Sequence, residues 1–399
     1  MPFSDAATAT ASSAKSAKAL TLAAYASFVP IGIATVLLGP MLPILSTRWS
    51  LNYSQAGRLF PTQYIASTVA VALSGVLVSR WGFRFAIKAG LVLATAGVGL
   101  LLAGPETLGM ACIAAYGGGL GLAVPAANLL VAEVNPGRRS ATLNLLNFCW
   151  SAGSVASPFL VAAAAKRDEI PLLLACIAGF LLLVALGIAA MPSSIIEPSV
   201  AREAKPSRGL GIDWKNPALP NLAALFFIYV GTENGFGLWV ATYAKSLGSL
   251  SITTALMTPS FFYSALLAGR LLAPLLLRLT NEVRLAQAGL LVACAGMGGL
   301  LFSHALPGVL LSACLAGFGL SIVYPIAVAL LSLEFGASAA RVGSLLFTLS
   351  NLGGGLLPWI VGVSSTRFGT LRAGLIMPLI GSGLMYVLYL RKWKTEPGV

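Results

Sequence analysis

The stretch Gly117-Gly-Gly-Leu-Gly-Leu-Ala-Val-Pro125 is answered 200 residues later by Gly317-Phe-Gly-Leu-Ser-Ile-Val-Tyr-Pro325. Residues coincide at Gly117/Gly317, Gly119/Gly319, Leu120/Leu320 and Pro125/Pro325. The register then holds through Ala127/Ala327, Leu130/Leu330, Gly153/Gly353 and Pro158/Pro358. Both copies stand in apolar stretches long enough to cross a bilayer. Small residues at these places let helix backbones approach closely, as moving helix interfaces require. A chain that repeats half of itself inside such stretches reads as two bundles that rock about a shared cavity.

Composition sets the surroundings. Of 399 residues 57% are hydrophobic and only 9% charged, too few charges to clothe a soluble domain of this size. At 1.5 Å per residue, an apolar run of about 20 residues spans about 30 Å of hydrocarbon. The net charge of +13 does not point to nucleic acid, because the basic residues cluster in short segments between the apolar runs. There they attract anionic lipid and bias topology. All five cysteines (Cys112, Cys149, Cys176, Cys294 and Cys314) lie inside apolar runs without CxxC spacing, and are expected to pack rather than to pair or bind metal. His304 is the only histidine, so no His cluster forms. No cofactor is implied. Residues 1–19, rich in Ala, Ser and Thr, are expected to form an uncleaved, disordered cytoplasmic tail, because the apolar run after them is too long for a signal peptide.

Twelve spans can be placed, at roughly 20–46, 55–79, 85–104, 108–134, 139–165, 171–191, 219–246, 253–279, 283–303, 306–334, 341–365 and 371–391. The polar segment 192–218, with Glu197, Arg202, Glu203, Lys205, Arg208 and Lys215, divides them into a six-helix bundle at 20–191 and another at 219–391. A second tail follows at 392–399. With the N-terminus inside, 17 basic residues fall on the cytoplasmic side and 7 outside, with Arg270 within a span. That asymmetry places both termini in the cytoplasm.

Between spans 2 and 3 stands Gly75-Val-Leu77-Val-Ser-Arg80-Trp-Gly82-Phe-Arg84-Phe-Ala-Ile87. It resembles the loop signature of the major facilitator superfamily, G-x-L-x-D-R-x-G-R-[RK]-x-x-[LI]. Gly75, Leu77, Arg80, Gly82, Arg84 and Ile87 match, while Ser79 replaces the Asp and Phe83 an Arg. Such a loop makes a tight turn whose arginines pin neighbouring helix ends. Without the Asp, the latch is expected to be weaker or to rely on Glu133. The resemblance implies an all-α membrane protein: 12 transmembrane helices in two pseudo-symmetric six-helix bundles, the major facilitator fold. Within the superfamily, Tyr229-Val-Gly-Thr-Glu233-Asn-Gly-Phe-Gly-Leu-Trp239 is similar to the fucose permease and sodium-dependent glucose transporter branch, although span 1 lacks the acid of that branch.

Intramembrane polar residues are costly and therefore candidates for function. Glu233, halfway along span 7, is the candidate proton-coupling residue; the alternative is a structural carboxylate bonded to a neighbouring helix. At a 200-residue offset it matches apolar Ile33. Candidate substrate-binding residues are Asn144, Asn147 and Trp150 on span 5, Tyr229, Asn234 and Trp239 on span 7, Tyr263 on span 8, Tyr324 on span 10 and Asn351 on span 11. Amides donate and accept, and rings stack on the apolar faces of sugars. Each of them alone serves equally well as a helix–helix contact. Arg270 either caps cytoplasmic helix ends or acts in gating or on substrate charge. Arg80, Arg84, Glu133, Arg138 and Glu334 are candidate gate residues, the two acids pairing with Arg138, Arg139 or Arg341.

The reading that follows is a secondary active transporter, not an enzyme, in the cell (inner) membrane. It would move a small polar organic solute, a sugar being one candidate, with a coupling proton or sodium ion, as a monomer in the lipid bilayer. The alternative is a multidrug or metabolite exporter of the same fold, for which Phe226, Phe227, Phe236, Phe261 and Phe262 would line an amphipathic cavity.

Overall fold

A computed structural model describes residues 3–191, 214–248, 250–391 and 393, with side chains from residue 16 onward except at 137, 140, 337 and 340. Most of the polar linker, with Glu197, Arg202, Glu203, Lys205 and Arg208, lies outside the described residues, as does the tail from 394. Every regular element among the described residues is helical. The first half comprises α1 (Phe3–Val36), α2 (Leu38–Arg48), α3 (Tyr53–Gly57), α4 (Leu59–Trp81), α5 (Phe83–Gly99), α6 (Glu106–Val134), α7 (Arg139–Lys166) and α8 (Ile170–Ala189). The second comprises α9 (Ala218–Gly237), α10 (Val240–Ser246), α11 (Ile252–Leu276), α12 (Glu282–Phe302), α13 (Leu306–Leu320), α14 (Val323–Phe335), α15 (Ala339–Arg367) and α16 (Leu371–Tyr389).

Ten of these helices or helix pairs are long and apolar enough to cross a membrane. Phe83–Gly99 and Ala218–Gly237 occupy the places of spans 3 and 7. Spans 1, 7 and 10 are broken, at Leu37, at Leu238–Trp239 and at Ser321–Ile322. Helix α1 begins at Phe3, so residues 3–19, expected as a disordered tail, continue the helix. Their alanine content accounts for this, since Ala loses no side-chain entropy in a helix.

The repeated glycines make the close backbone approaches expected of them. A Cβ on Gly119 would sit 2.5 Å from the carbonyl oxygen of Gly90, and one on Gly90 would sit 2.6 Å from that of Gly119. In the other half Gly289 and Gly319 stand in the same mutual arrangement. These residues therefore hold α5 against α6, and α12 against α13, backbone to backbone.

Contacts group the chain into two compact units. One comprises 1–35, 66–156 and 170–206; the other comprises 36–65, 157–169 and 207–399. The second unit thus includes α2, α3, the start of α4 and the end of α7. Within it, Lys245 donates to the carbonyl of Pro43 (3.3 Å) and to Thr47 Oγ1 (3.0 Å), and the Ser54 N–H donates to Thr366 Oγ1 (2.8 Å). The same unit has close backbone approaches at Gly39 on Leu238 and Gly57 on Trp359. At the same end, Arg372 Nη2 lies 2.8 Å from His304 Nδ1, and its Nε donates to the Tyr243 hydroxyl.

Candidate functional site

The signature loop is built around Gly82, whose φ of +85° is closed to residues with a Cβ and turns α4 into α5. Ser79, in the place of the Asp, bonds back to the Val76 carbonyl (2.9 Å). Arg84 donates from Nη2 to the carbonyls of Ile188 (3.2 Å) and Met191 (2.6 Å), at and just beyond the end of α8. The loop arginine thus pins a helix C-terminus inside the first unit. Arg80 is exposed in the last turn of α4, where it complements the helix dipole. Glu133 reaches Arg139 at 3.8 Å with about half of each side chain exposed (51% and 54%), a pair worth little in water. Arg138 is exposed beside it, and Glu334 is half-buried at the end of α14.

The crossing of α1 with α7 carries the first-half candidates. Gly153 faces the Val29 carbonyl and Gly32 the Trp150 carbonyl, so tightly that no side chain fits at either glycine. Trp150 donates its indole N–H to Thr35 Oγ1 (3.3 Å), and Ser154 donates to the Gly32 carbonyl (3.3 Å). Asn147 is exposed, its amide turned to the Leu143 carbonyl (2.9 Å), and Asn144 is exposed one turn before it.

The crossing of α9 with α15 repeats this plan. Gly353 faces the Phe227 carbonyl as Gly153 faces that of Val29. Spans 1 and 7 therefore correspond with an offset of 198, not 200, and the counterpart of Glu233 is Thr35 rather than Ile33. Pro358 lacks an N–H, so the Gly354 carbonyl has no partner in its own helix. Asn234 supplies one at 3.4 Å and also donates to the Tyr64 hydroxyl at 2.6 Å. Asn234, expected to meet solute, is thus occupied as a strut that sets Tyr64. Trp239 departs further from expectation. It is fully buried, its indole donates to the Pro358 carbonyl (2.8 Å), and its ring packs edge-on to Tyr53 and Phe60, leaving no face for a ligand.

Glu233 is half-buried one turn beyond Tyr229. Its carboxylate acts electrostatically on the hydroxyls of Tyr64, Tyr229, Tyr263 and Tyr324 and on Arg270. The Tyr229 hydroxyl lies between Glu233 and Arg270, close to both and in hydrogen-bond geometry with neither. The Tyr263 hydroxyl is likewise buried without a partner. Tyr229 and Tyr324 stack at 5.2 Å between ring centroids, and Phe226 closes on Tyr324 at 5.3 Å. Arg270 lies in this cluster, not at a helix end. Asn351 is half-buried on α15. The phenylalanines that favoured an amphipathic cavity are largely spent on packing: Phe226, Phe236 and Phe262 are fully buried, the last two against each other at 5.3 Å. Tyr64, which the candidate residues of the sequence did not include, joins the cluster through Asn234.

All-helical architecture, ten apolar membrane-crossing elements and one charged cluster among aromatic hydroxyls define a multi-pass membrane transporter rather than an enzyme. The family model of the Major Facilitator Superfamily matches residues 24–358, and the chain belongs to that superfamily. Among solved structures it is similar to a D-xylose–proton symporter, with 18% identity, 92% of this chain and 96% of that one covered, and a TM-score of 0.74. A point mutant of the nucleoside transporter NupG gives 14% identity, 94% and 98% coverage and 0.74. A point mutant of the fucose:proton symporter of E. coli gives 18% identity, 93% and 97% coverage and 0.61. These likenesses show the fold. No curated protein sequence matches the chain.

Proposed function

We propose that this transporter moves a small polar organic solute, a sugar being the class first expected, by alternating access, with a proton carried on Glu233. The observation that supports this is a single carboxylate on α9 surrounded by four tyrosines and one arginine, in a helix otherwise neutral along its length. A membrane acid of this kind is retained at a cost that a coupling role explains. The symporters of xylose and fucose with which the fold is shared couple their solutes to protons by their descriptions.

In this reading the moving bodies are the bundles 20–191 and 219–391, working as a monomer in the inner membrane with both termini in the cytoplasm. The gate residues are Arg80, Arg84, Glu133, Arg138 and Glu334, and Asn144, Asn147, Trp150, Tyr229, Tyr263, Tyr324 and Asn351 meet the solute. A thermal-stabilisation screen of purified protein against sugars, organic acids and nucleosides identifies the ligand, since binding to the native state raises its apparent stability. In proteoliposomes, Glu233→Gln should then lose pH-driven uptake of that ligand while keeping counterflow exchange. Uptake driven by a sodium gradient alone would reassign the coupling ion.

A further inference from the structure

Arg270 is the only basic residue well inside a span, and it stands without an ion pair among the described residues. Its Nε is completely shielded and hydrogen-bonded to nothing, although Glu233, Tyr229 and Tyr324 all interact with it through space. Isolating a guanidinium from water without a carboxylate within 4 Å costs free energy that packing alone does not return. Two tyrosine hydroxyls of the same cluster, on Tyr229 and Tyr263, are also buried without partners. One short helix-lined region thus holds a guanidinium Nε and two hydroxyls without hydrogen-bond partners, while Arg270 as a whole keeps partial exposure. The unmet bonds describe what is missing: an anion with hydroxyl or ring substituents beside it.

We propose that the transported solute is a monocarboxylate bound through its carboxyl group by Arg270, with its polar or aromatic body against Tyr229, Tyr263 and Tyr324. The planar fork of arginine matches a carboxylate with two parallel donors. One such residue suits a single negative charge; a phosphate dianion would call for a second cation, and Arg270 is the one basic side chain that acts on this tyrosine cluster among the described residues. The assignment rests on the transport reading above and deepens it. Charge balance links it to Glu233. The substrate carboxylate balances Arg270, and the proton that the transport reading assigns to Glu233 enters with it. Anion and proton then cross together and carry no net charge, which avoids exposing a bare charge to the bilayer core.

Two measurements on the full-length protein test this. In detergent, without any gradient, binding is compared by thermal shift and calorimetry for two matched pairs: D-gluconate with D-glucose, and 4-hydroxybenzoate with 4-hydroxybenzamide. The acid of at least one pair should bind about tenfold tighter than its neutral partner or better. Arg270→Gln should abolish that preference, and Arg270→Lys should retain part of it. No acid preference in either pair in the native protein overturns the proposal, even if the variants do not fold. So does a preference that survives Arg270→Gln. In proteoliposomes, uptake of the preferred acid should follow the pH gradient and ignore a potassium-diffusion potential; uptake that follows the potential contradicts the paired entry of anion and proton. Because binding is read without a gradient, loss of proton coupling leaves the first result standing, and loss of acid preference leaves the coupling test standing.

Discussion

The α1–α7 and α9–α15 crossings share one skeleton and carry different chemistry. In each, a glycine of the later helix (Gly153 or Gly353) presses on a carbonyl of the earlier one (Val29 or Phe227), and a proline follows five residues on (Pro158 or Pro358). At the equivalent point above the crossing stand Thr35, bonded to an indole, and Glu233, set among tyrosines near a guanidinium. The repeat supplies the helix geometry twice; charge is placed once. Under the proposed function coupling belongs to the second half, and the first half contributes neutral hydrogen bonding and ring surface.

Perturbations of decreasing size test this contrast. The largest effect is expected at Glu233, where Gln should remove gradient-driven uptake altogether while leaving exchange. Next come the shared glycines. Gly153→Val and Gly353→Val each drive a side chain into a carbonyl of the facing helix, and each should destabilise the protein by about 3 kcal/mol, read as matched falls in thermal unfolding temperature in detergent. Unequal falls would show that the two crossings are less alike than their glycines imply. Thr35→Val leaves the Trp150 indole unpaired and should cost about 1 kcal/mol, without altering the ratio of protons to solute. Glu133→Gln should change stability by less than about 0.5 kcal/mol, because its exposed contact to Arg139 is screened by water.

Much of the fold was legible in the sequence. The repeat, the basic loop at 75–87 and the spacing of apolar runs led to an all-helical membrane fold of the superfamily, and the family match shows that superfamily. Local patterns failed where tertiary context intervened. The 200-residue offset misaligned spans 1 and 7 by two residues, because an offset fixed by spans 4–5 and 10–11 need not hold in helices that precede them. Asn234 looked like a solute ligand because sequence cannot show that Pro358 frees a carbonyl opposite it. Trp239 looked available because nothing local shows Tyr53 and Phe60 closing over it from another part of the chain. Arg270 illustrates the reverse. Its position within a span was plain, while the lack of a hydrogen-bond partner at its buried Nε could be seen only once α9, α11 and the start of α14 were assembled.

The most direct test of the asymmetry is pH-gradient-driven uptake of the identified ligand in proteoliposomes, with Glu233→Gln and Thr35→Val measured side by side at equal reconstituted protein. The account predicts that Glu233→Gln shows no accumulation above equilibration but normal counterflow, while Thr35→Val still accumulates ligand against its gradient. Accumulation by Glu233→Gln, or its loss in Thr35→Val with counterflow intact, would contradict a coupling site confined to the second half.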